Sequence, residues 1–501
     1  MKKILLFGAG KSATVLIDYL IHLVSEKVWY LTVADANLSL AQSKVGNTSQ
    51  ATAVQLDIQN EAERKTLIQA ADLVISMMPA SLHSLVAMDC IRFEKHLLNA
   101  SYVDQQIKEQ AAIIKEKGLL FLCEMGLDPG IDHMSALQVI HSIQQKGGII
   151  TSFKSHCGGL IAPESDNNPW HYKISWNPRN IIMAGKAGAS FKENNEIKNV
   201  PYEKLFDPAN LVVINQTETY AYYPNRDSKH YMELYGLQDV NTFIRTTLRH
   251  PEFSFGWKNI VELKLTDEEK IYETDGLCVA DFFRMHFEKH GFSDWLNDIL
   301  RRKLNDAKAL VEKIIALMET EQDRFEDDEN PDQEMMVVDE EGNLNSLNIE
   351  EVKDKAAESM AARMHEANLS MKQLFFLGLD DDETIINKGL CSAADVLQFI
   401  LEYKWALEPD DKDLIVMLHE TEYIQDGINK KLDSLLKVTG KNSTHTAMAT
   451  TVGLPLGIAA KLILEGKIKE TGVHIPVIPE IYLPILEELK KYGIEFKETL
   501  H

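Results

Sequence analysis

The sequence predicts an α/β protein that begins with a doubly wound parallel sheet and continues into a mixed α/β region and a helical region. Between Lys3 and Glu124, apolar strand patterns alternate with helix patterns across short joints, which is typical of a parallel sheet covered on both faces. From about Gly148 to Arg249 the pattern changes to mixed strands and loops rich in Gly, Pro, Asn and aromatic residues. From about Pro251 to Tyr403 it becomes mainly helical and strongly charged.

Size and charge narrow the classes of function. A chain of 501 residues is expected to form two or three domains. Its formal net charge of -24, from 52 basic and 76 acidic residues, would repel nucleic acid and anionic membrane surfaces. The five cysteines lack metal-binding spacing and are interpreted as reduced thiols. The apolar start, Met1–Phe7, is interpreted as a strand, and no apolar run approaches the roughly 20 residues of a membrane span. We therefore expect a cytoplasmic protein without metal, nucleic acid or membrane partners.

Six strands are predicted in the first region, with helices between them. The strands are Lys3–Phe7, Trp29–Asp35, Ala51–Asp57, Asp72–Met78, His96–Ser101 and Leu119–Glu124. Helices are predicted at Ser12–Val24 and Gln105–Lys117, and a last one near the C-terminus at Thr446–Lys467. Because ligands of doubly wound sheets bind beyond the carboxyl ends of the strands, the functional residues are expected at those ends.

A dinucleotide-binding fingerprint of the form G-x-G-x-x-A follows the first strand. Gly8 permits the tight turn, Gly10 lets the backbone approach a pyrophosphate, and Ala13 lets the helix pack closely. The intervening residues of this predicted cofactor loop are Ala9, Lys11 and Ser12. The alternative, a glycine turn without a ligand, is disfavoured by the flanking strand and helix. The motif therefore predicts a Rossmann dinucleotide-binding domain.

Asp35 ends the second strand and predicts which dinucleotide is bound. A carboxylate there accepts hydrogen bonds from the ribose hydroxyls of NAD and repels the 2′-phosphate of NADP, so NAD is favoured and NADP is the less favoured cofactor. Lys44 is an alternative cation that would neutralise the phosphate. Further residues expected along the cofactor follow the third and fourth strands: Asp57, Ile58, Ser76, Met77, Met78 and Pro79. For the two methionines, core packing is an equal alternative.

Two polar stretches follow the fifth and sixth strands, where a nicotinamide ring and its substrate should meet. They are 99–102, which reads Asn-Ala-Ser-Tyr, and 126–133, which reads Gly-Leu-Asp-Pro-Gly-Ile-Asp-His. Asp128 alone is equally explained as a turn and helix cap, since Asp favours such positions.

The second stretch, extended to Met134, resembles a signature of saccharopine dehydrogenases of the glutamate-forming type. Four other segments resemble the same family in order and spacing: 157–164, 172–176, 223–228 and 247–249. Only the region between about Pro251 and Ser370 matches poorly. The resemblance implies three domains: a dinucleotide-binding domain at 1–131 and 444–501, a substrate-binding and dimerisation domain at 132–250 and 405–443, and a helical domain at 251–404 with an acidic loop at 319–345. A homodimer is expected.

The resemblance also implies the residues of the site. Those expected to contact saccharopine are Ser101, Tyr102, Asp128, Arg226, Thr247, Leu248 and Arg249, and those expected near the cofactor are Ser101, Leu127, Pro129 and Ser175. The chain departs from the family twice. Fungal members that use NADP carry Cys-Arg where this chain has Ala34 and Asp35, and many members carry Tyr where it has His156. Arginine forks at Arg226 and Arg249 suit a substrate with three carboxylates.

The implied reaction is oxidation of a secondary amine, followed by hydrolysis of the imine to glutamate and aminoadipate semialdehyde. A base near the substrate nitrogen is needed, and the candidates are Asp128, Tyr102 and then His133. Asp128 could instead bind the substrate ammonium while water carries the proton. Two other functions stay open: a related carboxynorspermidine or homospermidine reductase, and a non-catalytic NAD-sensing protein.

Twelve acidic side chains fall between Glu319 and Glu341. The spacing of a calcium loop is absent, so a solvated or partly disordered loop that is dispensable for chemistry is expected.

Overall fold

The computed structural model describes residues 1–214, 217–295 and 365–501, together with the backbone of Met335–Val338 and Leu344–Leu347. Two compact units are formed. The first comprises Met1–Lys258 and Trp405–His501, and the second comprises Asn259–Lys404. The three-domain boundaries expected from the sequence stay a prediction.

The strands are β1 (Lys3–Phe7), β2 (Tyr30–Asp35), β3 (Ala51–Gln55), β4 (Leu73–Ser76), β5 (His96–Asn99), β6 (Leu120–Leu122), β7 (Ile149–Ile161), β8 (Ala189–Glu193), β9 (Glu196–Val200), β10 (Leu211–Ile214), β11 (Glu218–Pro224), β12 (Thr242–Arg249), β13 (Tyr272–Glu273), β14 (Met335–Val338), β15 (Leu344–Leu347), β16 (Leu390–Cys391), β17 (Asp413–Gln425), β18 (Ile428–Thr439), β19 (Gly472–His474) and β20 (Lys497–Leu500).

The α-helices with both ends in the described residues are α1 (Thr14–Lys27), α2 (Leu38–Val45), α3 (Glu61–Ala70), α4 (His83–Arg92), α5 (Gln105–Glu109), α6 (Ala111–Glu116), α7 (Ile131–Gln145), α8 (Pro178–Ile182), α9 (Lys229–Leu234), α10 (Pro251–Glu262), α11 (Val279–His290), α12 (Ala393–Lys404), α13 (Ala447–Leu464) and α14 (Pro479–Lys490).

The first sheet is parallel and doubly wound, with strand order β19-β6-β5-β4-β1-β2-β3. This confirms the predicted fold class, and the six predicted strands are all present with ends that differ by a few residues at most. The apolar residues of these strands are buried on both faces, because helices cover both sides of the sheet. The seventh strand, β19, was not predicted from the pattern, since three residues carry too little periodicity.

The C-terminal helix α13 packs against α1 and completes this layer. The helices approach closely at Gly453, where an added Cβ would lie 2.9 Å from the backbone nitrogen of Leu16. By length and composition α13 could span a membrane, but 83% of its 18-residue window is buried inside the protein, as in the core helix of a globular domain. The helix predicted at Gln105–Lys117 is instead two short helices, because Gln110 leaves helical geometry at φ -94° and ψ 4°.

The second sheet has the order β10-β11-β12-β7-β17-β18-β20, with β8 beside β12 and β9 beside β8. The 13-residue strands β7 and β17 pair antiparallel, and β12 runs parallel to β7. Helix α7 contacts β7 and buries most of its side chains. Since α7 begins directly after the end of the first sheet, it connects the dinucleotide-binding layer to the second sheet.

The second unit contains α11, α12 and a helix at 365–376. Strand β13 pairs with β16, and β14 pairs antiparallel with β15. Strand β14 lies within the acidic loop predicted at 319–345, and β15 begins in that loop and ends beyond it, so the expectation of irregular structure is wrong for residues 335–338 and 344–345. The acidic residues at 319–334 and 339–341 lie outside the described residues.

Candidate active site

The glycine loop has the geometry that a dinucleotide pyrophosphate needs. Gly8 lies at φ +97°, and a Cβ there would come within 2.9 Å of the Met77 carbonyl oxygen. A larger residue is therefore excluded by both backbone conformation and space. At Gly10 an added Cβ would meet nothing within 4 Å, so the backbone above the loop is open to a ligand. Lys11 and Ser12 follow in a short 3-10 turn that leads into α1.

Asp35 and Lys44 both lie at this loop. The Asp35 carboxylate accepts hydrogen bonds from the backbone N–H groups of Ala9, at 2.7 Å, and Asn37, at 2.8 Å. Lys44 Nζ donates to the Gly10 carbonyl oxygen at 2.7 Å and to Thr14 Oγ1 at 2.8 Å. Burial lowers the pKa of Lys44, although Asp35 favours its charged form. A carboxylate and an ammonium group are therefore both hydrogen-bonded to the glycine loop.

The other predicted cofactor residues divide into two groups. Ser76, Met77 and Pro79 lie at the carboxyl end of β4, and Pro129 and Asp57 are in turns after strands. The side chains of Ile58 and Leu127 are 7% and 5% exposed and pack in apolar clusters, and Met77 and Met78 each pack against such a cluster. Ser76 is 0% exposed. For Ser76, Ile58 and Leu127, backbone groups rather than side chains are therefore placed to reach a ligand.

Ser175 is connected to the N-terminus of α13 through Asp413. The Asp413 carboxylate accepts hydrogen bonds from the Ser175 side chain and from the backbone N–H groups of Ala447 and Met448. Burial raises the pKa of Asp413, while these hydrogen bonds favour the carboxylate. The arrangement fixes Ser175 beside the first turn of α13.

A buried ion triad lies at the start of α7. One terminal nitrogen of Arg245, Nη2, donates to Asp128 Oδ1 and to Asp132 Oδ2, each at 2.6 Å. Arg245 is 3% exposed, and its guanidinium lies 4.2 Å from the centre of the Tyr231 ring. Burial and the neighbouring Asp132 raise the pKa of Asp128 to about 6, although Arg245 opposes this. Burial also favours neutral Asp132, but His133, Arg245 and a backbone N–H lower the pKa of Asp132.

His133 belongs to a second network behind this triad. Its Nε2 lies 2.9 Å from Glu124 Oε2 and its Nδ1 lies 2.6 Å from Tyr235 Oη. The Tyr231 hydroxyl also donates to Glu124. Glu124 has φ +57°, a left-handed conformation that is unusual for a residue with a side chain and often marks functional sites. His133 is fully buried, so it can exchange a proton with a ligand only through Glu124 or another neighbour.

A cleft of about 230 Å³ opens beside these networks. The Arg226 guanidinium lies over the Tyr102 ring, 4.8 Å from its centre, and Arg226 has φ +52°. Burial raises the pKa of Tyr102, so its hydroxyl stays protonated and can donate. The cleft is lined by Tyr102, Val103, Lys108, Glu124, Arg226, Asp227, His230, Tyr231 and Arg245. Aromatic rings and several cationic side chains thus surround the predicted substrate position.

Arg249 lies on the same face of β12 as Arg245, because side chains alternate along a strand. It is 4% exposed, and its Nη1 donates to the carbonyl oxygens of Leu248 and Gly159. Its Nε is buried without a partner, and among the residues that the structure describes it forms no ion pair. Thr247 is half-buried between the two arginines, whereas Leu248 faces the opposite, apolar side. A buried cation without a carboxylate partner is suited to an anionic ligand.

His156, one of the two departures from the family, lies away from this cleft. Its Nδ1 is 2.7 Å from Thr246 Oγ1 and its Nε2 is 3.0 Å from Glu420 Oε2. Thr246 points to the face of β12 opposite to Arg245. The substitution at 156 therefore does not alter the side chains that line the cleft.

Three side chains that lie beside the predicted site residues were not predicted from the sequence: Arg245, Asp132 and Glu124. Arg245 could have been found from the two-residue period it shares with Thr247 and Arg249. Glu124 carried only the signal of a lone carboxylate at the end of the sixth predicted strand.

The fold and the site together define a class of protein. A doubly wound sheet with a glycine loop at its carboxyl end binds a dinucleotide, and the adjoining cleft contains proton-exchanging and cationic side chains. These features are typical of an oxidoreductase that uses a nicotinamide dinucleotide.

The chain belongs to the saccharopine dehydrogenase family. Residues 4–122 match the family model described as saccharopine dehydrogenase NADP binding domain, and residues 126–494 match the saccharopine dehydrogenase C-terminal domain. The chain is 31% identical to saccharopine dehydrogenase [NADP(+), L-glutamate-forming] of Pyricularia oryzae, over 100% of this chain and 99% of the relative. It is 32% identical to alpha-aminoadipic semialdehyde synthase of Arabidopsis thaliana, over 99% of this chain and 44% of that longer relative. The solved structure of apo saccharopine dehydrogenase (L-Glu forming) from Saccharomyces cerevisiae superposes with a TM-score of 0.75 at 27% identity, covering 100% of both chains.

Proposed function

We propose that this chain oxidises saccharopine to L-glutamate and 2-aminoadipate 6-semialdehyde, a reversible step of lysine metabolism, with a nicotinamide dinucleotide as hydride acceptor. The observation that carries the proposal is the full-length similarity to fungal relatives named L-glutamate-forming saccharopine dehydrogenases. Arg226 on the cleft and Arg249, which forms no ion pair with any described residue, support it, since saccharopine carries three carboxylates.

The residues of the site suit the proton transfers of this reaction. A hydride leaves the carbon that joins the lysine side chain to the secondary amine, and water adds to the resulting imine. The carbinolamine then loses glutamate as the carbon–nitrogen bond breaks. Asp128, with a pKa raised to about 6 by burial, is suited to take a proton near neutral pH. Tyr102 donates from the cleft wall, and His133 holds Glu124 in place.

Two other functions lead to different expectations. Substrates of carboxynorspermidine and homospermidine reductases are polyamine-like and favour acidic pockets, whereas this cleft contains Arg226 and Arg245. A non-catalytic NAD-sensing protein would bind the cofactor without turnover. Absorbance of the reduced cofactor, followed after addition of saccharopine, carboxynorspermidine or homospermidine to purified protein, separates the three. Absorbance that rises with saccharopine alone supports the proposal, and binding of cofactor without any rise contradicts it.

Arg226→Ala is expected to raise the KM for saccharopine by roughly 30- to 150-fold, because it removes a charge-assisted fork that contributes about 2 to 3 kcal/mol. The KM for the dinucleotide should stay within about twofold. Steady-state kinetics measure both. Arg226→Lys retains the charge without the fork and should give an intermediate value. Arg92→Ala is the matched control, since Arg92 is an exposed arginine over an aromatic ring on α4. Unaltered saccharopine kinetics in Arg226→Ala would remove Arg226 from the substrate site.

NAD is proposed as the preferred dinucleotide, and this rests on Asp35. The relatives' names and the matching domain model specify NADP, so the preference is a property proposed for this chain alone. A carboxylate about 4 Å from a phosphate charge is repelled by roughly 4 kcal/mol at an effective dielectric of 20, before screening. A preference for NAD of about a hundredfold in kcat/KM, roughly 2.7 kcal/mol, is expected.

Two variants test this cofactor preference. Asp35→Arg should shift the ratio of kcat/KM values toward NADP. Lys44→Met tests the competing explanation, in which Lys44 neutralises the 2′-phosphate. If that explanation holds, the Lys44→Met variant should lose activity with NADP and keep its activity with NAD. Equal use of NAD and NADP by the unmodified protein would show that Asp35 does not discriminate.

We also propose a cytoplasmic homodimer assembled through the second sheet, within the predicted domain at 132–250 and 405–443. Edge strand β10 supports this, because Leu211 and Val213 are 49% and 59% exposed.

A further inference from the structure

Three side chains form a continuous hydrogen-bonded chain across the carboxyl ends of β4 and β5. Ser76 Oγ lies 2.8 Å from His83 Nδ1, and His83 Nε2 lies 2.8 Å from Ser101 Oγ. Ser76 ends β4 and Ser101 follows β5, while His83 is the first residue of the connecting helix α4. The connection between the two strands therefore places an imidazole between their ends.

This series of hydrogen bonds is buried at its Ser76 end and partly exposed at its Ser101 end. Ser76 is 0% exposed and His83 is 3% exposed, whereas Ser101 is half-buried and precedes Tyr102, which lines the cleft. Burial lowers the pKa of His83 to about 4, so the ring is neutral near pH 7. A neutral imidazole has one N–H donor and one lone-pair acceptor. One serine must therefore donate to the ring, and the other must accept from it.

The position of that proton decides what Ser101 offers a ligand. If Nε2 carries the proton, it donates to Ser101 Oγ, and the Ser76 hydroxyl donates to Nδ1. The Ser101 hydroxyl proton is then free to point toward the cleft. If Nδ1 carries the proton instead, the Ser101 proton is used on Nε2, and Ser101 offers only lone pairs. An ionised carboxylate can only accept hydrogen bonds. A carboxylate ligand can therefore bond to the Ser101 hydroxyl only when Nε2 of His83 carries the proton.

We propose that His83 is a positioning residue that holds Ser101 as a hydrogen-bond donor toward a carboxylate of the bound substrate, with Ser76 as its buried anchor. This inference rests on the proposed function for the identity of the substrate. The carboxamide of a nicotinamide ring both donates and accepts, so it would not select between the two arrangements. The tetrad of Ser76, His83, Ser101 and substrate carboxylate therefore acts on substrate binding rather than on cofactor binding.

Kinetics of His83 and Ser101 variants test whether His83 acts through Ser101. Ser101→Ala should raise the KM for saccharopine about tenfold, as expected for loss of one hydrogen bond to a charged group. His83→Phe should raise this KM by a similar factor. The double variant should raise it about tenfold rather than a hundredfold, since both substitutions remove the same interaction. His83→Gln keeps an N–H donor at the position of Nε2 and should retain most of the affinity. The dinucleotide KM should change by less than about twofold in all four. Additive losses, or a larger effect on the dinucleotide, overturn the proposal.

The tautomer itself is measured independently of turnover. Long-range proton–nitrogen correlation NMR on the protein with ¹⁵N-labelled histidine distinguishes the two ring nitrogens, and the His83 signals are those lost in His83→Gln. We expect Nε2 protonated and Nδ1 bare. A protonated Nδ1 overturns the proposal even if saccharopine is turned over. Absence of turnover by the unmodified protein contradicts the proposed function, whereas the NMR result still tests the arrangement of His83 and Ser101.

Discussion

Arg245→Met is expected to destabilise the first unit by about 3 to 5 kcal/mol, because it leaves the buried Asp132 carboxylate and the mostly buried Asp128 carboxylate without their cation. Asp128 and Asp132 each accept a hydrogen bond from one guanidinium nitrogen at 2.6 Å, and Arg245 is 3% exposed. A methionine fills similar volume, so the loss is mainly electrostatic rather than a cavity. The midpoint of urea denaturation, followed by the fluorescence of buried tryptophans, measures the change.

The matched control is Lys437→Met on the same sheet. Lys437 pairs with Glu218, but the two side chains are 33% and 36% exposed. Partly exposed pairs contribute about 0 to 1 kcal/mol, so the midpoint should hardly move. Adding Asp128→Asn and Asp132→Asn to Arg245→Met should recover much of the lost stability, since the uncompensated charges are then removed. An Arg245→Met protein as stable as Lys437→Met would show that the triad does not hold the second sheet to α7.

Asp128→Asn is expected to lower kcat for saccharopine oxidation by about a hundredfold to ten-thousandfold, the usual contribution of a general base. The amide has the same shape but cannot take up the substrate proton. In the unmodified protein, kcat/KM for oxidation should rise with pH through about 6, since burial raises the pKa of Asp128 to about that value. Above this pH Asp128 is an ionised carboxylate and can act as a base. Below it Asp128 is protonated and cannot accept the substrate proton. The variant should lose this limb of the pH profile.

Asp132 should not produce that limb, because its pKa is lowered by His133 and Arg245 despite burial. Asp227→Asn is the control, since Asp227 is an exposed carboxylate that lines the same cleft. If Asp128→Asn keeps normal kcat and raises only the KM, Asp128 binds the substrate ammonium and water carries the proton.

The dinucleotide-binding fold was largely predictable because its signals are local. The strands from Lys3–Phe7 to Leu120–Leu122 follow apolar runs, and Gly8 and Gly10 stand in a motif whose spacing has a mechanical reason. Strand β19 was not predictable from its pattern, since it is three residues long and pairs with β6 across more than 300 residues of chain. The interruption at Gln110 also left no pattern in the sequence.

The site was predictable only where it coincided with motifs. Tyr102, Asp128 and Arg226 were expected beside the substrate. The structure places Tyr102 and Arg226 on one cleft, and Asp128 is bonded to Arg245, which lines the same cleft. That Asp128 shares a cation with Asp132 depends on how α7 meets β12, which no local pattern encodes. Glu124 likewise contacts Tyr231, 107 residues away, as well as the nearby His133, and the hydrogen bonds of His83 depend on how the ends of β4 and β5 lie side by side. His133 is fully buried and hydrogen-bonded to Glu124, so we expect it to support Glu124 rather than to contact the substrate as a base.

On the proposed function, this chain cleaves saccharopine on the lysine side of its secondary amine. Mass-spectrometric identification of the products formed from saccharopine and a nicotinamide dinucleotide by the purified protein tests this directly. We expect glutamate and 2-aminoadipate 6-semialdehyde, formed in equal amounts with the reduced cofactor. Lysine and 2-oxoglutarate would show that the other carbon–nitrogen bond is oxidised, and that result would contradict the proposed function.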